Sequence, residues 1–153
     1  MAGGRAPFTN CRNQIQEAVG YLRAGGVVVC PTDTLFGLGA DAFSTPALRR
    51  VLAIKGRPAD LALPVLVASL DQARQVVREF PETGRRLAER FWPGPLTLVF
   101  LRSLELSGLL TGGRDTVAVR MPDHWVPLAL MKELGSPITG PSANLSGGGD
   151  LLT

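Results

Sequence analysis

Apolar residues follow two alternating patterns along the chain, one typical of helices and one typical of buried strands. In the first helical segment, Ile15, Ala18, Val19 and Leu22 share one face. Short apolar runs rich in β-branched residues indicate buried strands. The patterns predict helices over residues 10–24, 45–55, 69–77, 82–91 and 126–134. They predict strands over residues 27–30, 63–68, 96–101, 116–121 and 138–139, with a loop over 31–41.

Residues that commonly cap or end helices support these boundaries. Asn10 is expected to cap the first helix, and glycines 25 and 26 to end it. Thr45 is expected to cap the second helix, with Pro46 at its first position. Because strands alternate with helices, the fold class is α/β or α+β with a mixed sheet. No repeat or linker divides residues 1–153, so a single domain is expected.

Composition places the chain among soluble globular proteins. It has 153 residues, 45% hydrophobic and 19% charged. Its apolar runs are shorter than the roughly 18 residues needed to cross a bilayer. The first residues do not resemble a secretory signal, so we expect a cytoplasmic protein without a membrane association. Cys11 and Cys30 provide neither a disulfide framework nor zinc-ligand spacing, and Cys30 ends a strand as a buried thiol.

The charge balance permits an anionic partner without requiring one. The formal net charge is +3 and the sequence pI is near 9.4. The basic residues are dispersed, so charge alone does not indicate a nucleic-acid-binding protein.

The segment Lys55-Gly56-Arg57-Pro58 places two cations at the end of a predicted helix. Lys55 is one of only two lysines, against fourteen arginines. Such a pair suits an anion, either a nucleotide phosphate or a carboxylate. The alternative is that both residues only complement the negative end of the helix.

Hydroxyl and amide side chains follow other predicted strands. Thr32 and Thr34 surround Asp33 in the loop after the first strand, where α/β proteins place ligands. A turn capped by these side chains is the alternative interpretation. Ser142 and Asn144 follow the last strand and have the same two interpretations.

Two further residues complete the candidates. Arg120 alternates with Ala118 and Thr116, so it is expected to face a cleft. His124 is the only histidine and is expected to be structural, which argues against a Ser-His-Asp relay. The sequence has no P-loop and no cluster of metal ligands, so no metal residue is predicted.

Five segments together resemble the threonylcarbamoyl-AMP synthase family, also called YrdC-like, from about residue 27 to residue 147. They are Pro-Thr-Asp-Thr-Leu-Phe-Gly-Leu-Gly (31–39), Lys-Gly-Arg-Pro (55–58), Phe-Trp-Pro-Gly-Pro-Leu-Thr (91–97), Val-Ala-Val-Arg-Met-Pro-Asp-His (117–124) and Pro-Ser-Ala-Asn-Leu-Ser-Gly (141–147).

The resemblance implies a twisted α/β sheet around a large basic cavity. It implies an enzyme, a nucleotidyltransferase that joins L-threonine, bicarbonate and ATP into threonylcarbamoyl-adenylate and pyrophosphate, for the t6A modification of tRNA. By the same resemblance the catalytic residues are Lys55 and Arg57. The ATP-binding residues are Lys55, Arg57, Arg120, Ser142 and Asn144. The threonine-binding residues are Thr32, Thr34 and Ser142.

This chemistry needs no protein nucleophile. It needs alignment of the reactants and cancellation of negative charge, which cations and hydroxyls supply. ATP would bring its own Mg²⁺, so no carboxylate cage is expected. The expected partners are the three substrates, tRNA or double-stranded RNA, and the machinery that transfers the product.

Two departures from the family pattern are visible. Leu61-Ala62-Leu63 occupies the place where the family often has Lys-Pro-Leu, so a polar group facing the ligands is expected to be missing. The chain ends at Thr153 and is expected to lack the C-terminal portion of the family's domain.

Two alternative functions remain open. One is a relative that adenylates a carbamoyl group for hydrogenase maturation. The other is an RNA-binding module with a basic concave surface, for which Tyr21, Trp92 and Trp125 are the aromatic candidates.

Overall fold

The computed structural model describes residues 7–56 and 60–144, with side chains from residue 11 onward. The described helices are α1 (Pro7–Arg23), α2 (Thr45–Lys55), α3 (Leu70–Val76), α4 (Glu82–Phe91), α5 (Gly108–Thr111) and α6 (Trp125–Leu134). The described strands are β1 (Val28–Cys30), β2 (Gly37–Gly39), β3 (Val65–Leu66), β4 (Leu98–Leu101), β5 (Thr116–Arg120) and β6 (Ile138–Thr139). None of these helices combines the length and apolar character needed to cross a membrane.

The main sheet is mixed, as the sequence predicts. Its strand order is β4-β5-β3-β6, with β5 and β3 parallel and the other two pairings antiparallel. β1 and β2 form a separate antiparallel pair. The predicted class, a mixed sheet flanked by helices, is confirmed.

Backbone hydrogen bonds join the β1-β2 pair to β6. The Leu38 N–H donates to Pro141 O at 2.9 Å, and the Thr139 N–H donates to Ala40 O at 2.8 Å. The buried Thr139 hydroxyl accepts from the Ala40 N–H at 3.0 Å and donates to Leu38 O at 2.7 Å. The side chain thus satisfies backbone groups where the ladder is irregular, and the six strands form one surface.

Apolar side chains cover the two faces of this surface in separate clusters. Val65 and Val119 pack in a cluster with Leu48 and Val51 of α2. Leu66, the next residue after Val65, packs in the other cluster, with α1 and α6. Successive strand residues point to opposite faces, so the two-residue strand β3 contributes to both clusters.

Several sequence predictions about boundaries are wrong, and the strand predicted over 63–68, for example, is only Val65–Leu66. Helix α1 begins at Pro7, before the predicted cap at Asn10. Ser44 caps α2 by accepting from the Ala47 N–H at 3.4 Å, which places Thr45 inside the helix. The predicted loop over 31–41 contains strand β2, which pairs with β1 and also forms hydrogen bonds to residues 137–143, about a hundred positions away.

Helix α5 was not predicted, and a glycine lets it pack against the segment before β3. Gly112 ends α5 with φ +60, and a Cβ built there would lie 2.4 Å from Asp60 O. The neighbouring Leu63 N–H donates to Leu110 O at 2.8 Å. This close approach fixes the chain that leads from residue 60 into β3.

We expect Gly112→Ala to destabilise the protein strongly. The left-handed conformation costs a residue with a Cβ about 1–2 kcal/mol, and displacement of the Asp60 carbonyl should bring the total to about 3 kcal/mol. Gly113→Ala is the matched control, because Gly113 has φ +77 but no atom within 4 Å of its Cβ position. Urea unfolding of both variants measures the difference, and equal losses would contradict the steric argument.

Candidate functional site

Lys55 lies at the end of α2 and is almost completely buried, with 6% of its surface exposed. Its Nζ donates to Ser142 O at 2.9 Å and to Asn144 Oδ1 at 2.8 Å. The Ser142 hydroxyl donates to the same Asn144 oxygen at 2.9 Å. The structure thus brings together three of the residues that the sequence predicts for the site, although 87 and 89 positions separate Lys55 from its partners.

Local structure explains how these side chains meet. Gly56 takes the left-handed conformation, with φ 65, and ends α2 directly after Lys55. On the other side, the Ala143 N–H donates to Phe36 O at 2.8 Å, and Gly37 forms a bridge with Ser142. The segment after β6 is therefore held between Lys55 and the chain that enters β2. Arg57, the other predicted catalytic residue, lies outside the described residues.

A second polar cluster surrounds Arg120 at the end of β5. Its Nη1 donates to Asp33 Oδ1 at 2.5 Å and to Gly94 O at 3.3 Å. Its Nη2 donates to the Thr34 hydroxyl oxygen at 3.2 Å. The two charged side chains are only 11% and 16% exposed.

Strand alternation places an open apolar surface beside this cluster. Val117 and Val119 are buried, so Ala118 and Arg120 lie on the opposite face, as predicted. Ala118 is the register partner of Val99 on β4, and Val99 is 65% exposed. Arg120 therefore stands at the edge of a partly apolar, accessible sheet face.

Thr32 and Thr34 play different parts in the loop. The Thr32 hydroxyl accepts from the Thr34 and Leu35 N–H groups at 3.1 and 3.2 Å and donates to Leu35 O at 2.5 Å. Its proton is thus used within the turn. Thr34 is exposed, and its oxygen faces Arg120. Both interpretations of this loop therefore have support: Thr32 caps the turn, and Thr34 is available to a ligand.

Asp33 is a site residue to which the sequence reasoning assigned no role. Desolvation raises the pKa of its carboxyl group, but the hydrogen bond and charge of Arg120 outweigh this effect, together with hydrogen bonds from the backbone of Asp123 and Asp33. The net result is a pKa below the ordinary aspartate value. The available signal was a carboxylate directly after one strand and an arginine at the end of another.

Other sequence candidates are structural. The His124 Nδ1 accepts from the Val126 N–H at 3.1 Å and caps α6, as expected for a structural histidine. Burial raises the pKa of the Cys30 thiol to about 11, so it is a neutral core residue at physiological pH. Trp92 is buried and donates from Nε1 to Leu96 O at 2.8 Å. Within residues 7–56 and 60–144, no group of three or more His, Cys, Asp or Glu side chains could hold a metal ion.

Two cavities lie away from these clusters. One of about 770 Å³ lies between parts of α1 and α6 and is lined in part by Ile15, Trp125 and Lys132. A smaller one of about 230 Å³ is lined by Leu61 and Arg114, among others. Leu61, at the position where the family often has a polar residue, packs partly buried against the core.

The described parts of the five segments contribute residues to the Lys55 cluster or to the Arg120 cluster. The Sua5/YciO/YrdC family model, described as "Telomere recombination", matches residues 20–153. The chain belongs to the Sua5/YciO/YrdC family. The resemblance predicted from the five segments is confirmed.

Relatives within the Sua5/YciO/YrdC family carry informative names. The chain is 47% identical over 143 residues to a threonylcarbamoyl-AMP synthase of Pyrococcus abyssi, covering 90% of this chain and 42% of that protein. It is 47% identical over 135 residues to the Bacillus subtilis enzyme of the same name, covering 88% and 39%. The chain therefore spans about two fifths of the length of these two relatives.

Solved structures agree with the family assignment. The structure of P. abyssi Sua5 complexed with L-threonine superposes with a TM-score of 0.87 at 46% identity, over 90% of this chain and 41% of that one. The phosphate- and nucleotide-bound HypF structure has a TM-score of 0.78 at 19% identity, over 90% and 21%, which shows a shared fold alone.

We expect Asp33→Asn to reveal a pH-dependent contribution to stability. Because the folded-state pKa of Asp33 is lowered, its contribution is complete above the unfolded-state pKa near 4 and is lost as pH falls through the folded-state value. At pH 7 the wild type should be more stable than the variant by about 0.5–1 kcal/mol, the range for a partly solvated pair.

Urea unfolding between pH 7 and pH 2.5 measures the difference in unfolding free energy between the wild type and Asp33→Asn. This difference should become smaller toward the acid end, and it should be small at every pH in an Arg120→Gln background. A gap that keeps its size across the whole range would contradict the ion-pair explanation.

Proposed function

We propose that this chain carries the adenylate-forming site of a threonylcarbamoyl-AMP synthase, an ATP-dependent nucleotidyltransferase. It would join L-threonine, bicarbonate and ATP, release pyrophosphate, and supply the t6A modification of tRNA in the cytoplasm. The observation that carries the proposal is the buried Lys55 held by Ser142 and Asn144, in a chain 47% identical to two proteins of that name.

The reaction has two bond-forming steps. The threonine amine attacks the bicarbonate carbon, which forms an N–C bond and releases water. A carbamate oxygen then attacks the α-phosphorus of ATP, the bond to the β-phosphate oxygen breaks, and pyrophosphate leaves with the electron pair. No protein nucleophile takes part, so the site has to align the reactants and stabilise developing negative charge.

Lys55 is suited to the charge-stabilising role. Its partners include a carbonyl oxygen and an amide oxygen, which hold the ammonium group in place. Arg57 is proposed to act with it on the phosphates. Ser142 and Asn144 hold the Lys55 ammonium group by hydrogen bonds, and their side chains lie beside it.

Arg120 and Thr34 are proposed to serve one ligand together, because the guanidinium donates to the hydroxyl. A guanidinium beside a hydroxyl suits an amino-acid carboxylate, and the P. abyssi Sua5 structure is a complex with L-threonine. This assigns Arg120 to the threonine side, whereas the resemblance alone implied the nucleotide side.

Mg²⁺ would arrive with the triphosphate and neutralise part of its charge when bound. The donor set of the described clusters, one ammonium, one guanidinium, hydroxyls and amides, fits a polyanion more than a bare cation. Asp33 is the carboxylate nearest to these groups among the described contacts, and Arg120 already occupies one of its oxygens.

Pyrophosphate release tests the proposed reaction. We expect the 153-residue chain to release pyrophosphate from ATP only when both threonine and bicarbonate are present. Release without threonine, or no release together with salt-sensitive RNA binding, would overturn the proposal. The second result would favour an RNA-binding module, for which Tyr21 and Trp125 are exposed.

Lys55→Met and Arg57→Ala test the two cations. We expect each variant to lower pyrophosphate release by about 100-fold or more, as is typical when a charge-stabilising donor is lost. Lys132→Met is the matched control, because Lys132 is the other lysine and lies exposed on α6. It should stay within about twofold of the wild type.

Because Lys55 is buried, its variant also needs a stability check. In Lys55→Met, the oxygens of Ser142 and Asn144 lose the ammonium donor, which should lower the free energy of unfolding by about 1–3 kcal/mol. The assay is therefore run at a temperature where unfolding curves show the variant to be folded. Normal turnover and normal ATP affinity in both Lys55→Met and Arg57→Ala would show that neither residue belongs to the active site.

A further inference from the structure

The Asp33–Arg120 ion pair is partly shielded from water and joins distant parts of the chain. The Nη1–Oδ1 distance is 2.5 Å, and the residues are 87 positions apart. Their side chains are 16% and 11% exposed. A partly solvated ion pair contributes little to stability, because lost hydration offsets part of its attraction, so stability alone is a weak reason for it.

The pair fixes the orientation of the guanidinium. Arg120 donates to acceptors in two separate loops, Asp33 and Thr34 in one and Gly94 in the other. The backbone of Asp123, in the connection between β5 and α6, also contributes to the lowered pKa of the Asp33 carboxyl group. A planar guanidinium held by several acceptors in different segments cannot rotate without breaking them.

This orientation determines what Thr34 can do. Its hydroxyl oxygen accepts from Arg120, so its single proton points away from the guanidinium. One partner for that proton is the Thr32 oxygen at 3.2 Å. That oxygen already accepts two backbone N–H groups, which leaves little capacity for a third. Thr34 is thus set to donate to a ligand.

Charge balance gives the pair a second consequence. The carboxylate cancels the guanidinium charge. Arg120 therefore attracts a polyphosphate less than an arginine without a carboxylate partner would.

We infer that Asp33 is a positioning and selectivity residue, which holds Arg120 and Thr34 for the threonine carboxylate and keeps Arg120 from competing for phosphate. This inference rests on the proposed function. It predicts opposite effects on the two substrates when the carboxylate becomes neutral.

Asp33→Asn tests this in the 153-residue chain. We expect KM for threonine to rise about tenfold, the equivalent of one lost charge-assisted hydrogen bond. KM for ATP should stay the same or fall, and pyrophosphate should inhibit more strongly, because the site gains a net positive charge. In an Arg120→Ala background the same substitution should change KM for threonine by less than about twofold, since its effect acts through Arg120.

Asp41→Asn is the matched control. Asp41 accepts from the Phe43 N–H at 3.0 Å and the Ser136 hydroxyl at 2.8 Å, so it is a hydrogen-bonded carboxylate without an arginine partner. Its replacement should lower stability and leave both KM values near the wild type. Equal rises of both KM values in Asp33→Asn would indicate a merely structural role and overturn the inference.

An NMR measurement separates this inference from the proposed reaction. Hindered rotation of the Arg120 guanidinium should be visible in the free wild type and lost in Asp33→Asn. If the wild type neither binds threonine nor releases pyrophosphate, the proposed function fails, while this loss would still support positioning. An unchanged Arg120 signal in the variant would overturn positioning whatever the protein catalyses.

Discussion

The antiparallel backbone pairing between residues 36–42 and 137–143 is the constraint on which the site depends. It joins β2 to β6 through the Leu38, Ala42 and Thr139 N–H groups. Ser142 and Asn144 follow directly from one side of this pairing, and Thr32 to Thr34 lead into the other. The same hydrogen bonds therefore complete the sheet and bring the Lys55 cluster to the loop that holds Arg120.

Two cations are treated differently within this arrangement. Lys55 is buried and donates to a carbonyl and an amide oxygen, while Arg120 is paired with Asp33. Burying a cation is costly, and such groups cluster at functional sites. Because Asp33 neutralises its charge, Arg120 contributes oriented hydrogen-bond donors more than net charge. In the proposed function, the Lys55 region would bind the polyanion and the Arg120 region the small polar substrate.

Helix positions were largely predictable because their signals are local. Ser69 caps α3, and Gly135 ends α6 in the left-handed conformation. Errors arose where neighbouring residues offered equivalent signals, as at Ser44 and Thr45, which both carry a hydroxyl. Strand β2 was missed for another reason: Gly37-Leu38-Gly39 has low strand propensity, although its pairing partner β1 is close in the sequence.

The sequence by itself determined the family, the mixed fold class and most of the polar side chains of the candidate site, because these depend on residue types at characteristic spacings. Only the tertiary structure decided which of them meet. It paired Asp33 with Arg120, and it directed the Thr32 hydroxyl proton to a carbonyl oxygen of the same turn. The physical reason is that hydrogen-bond partners are chosen by distance in space, and segments 87 positions apart carry no local signal of their contact.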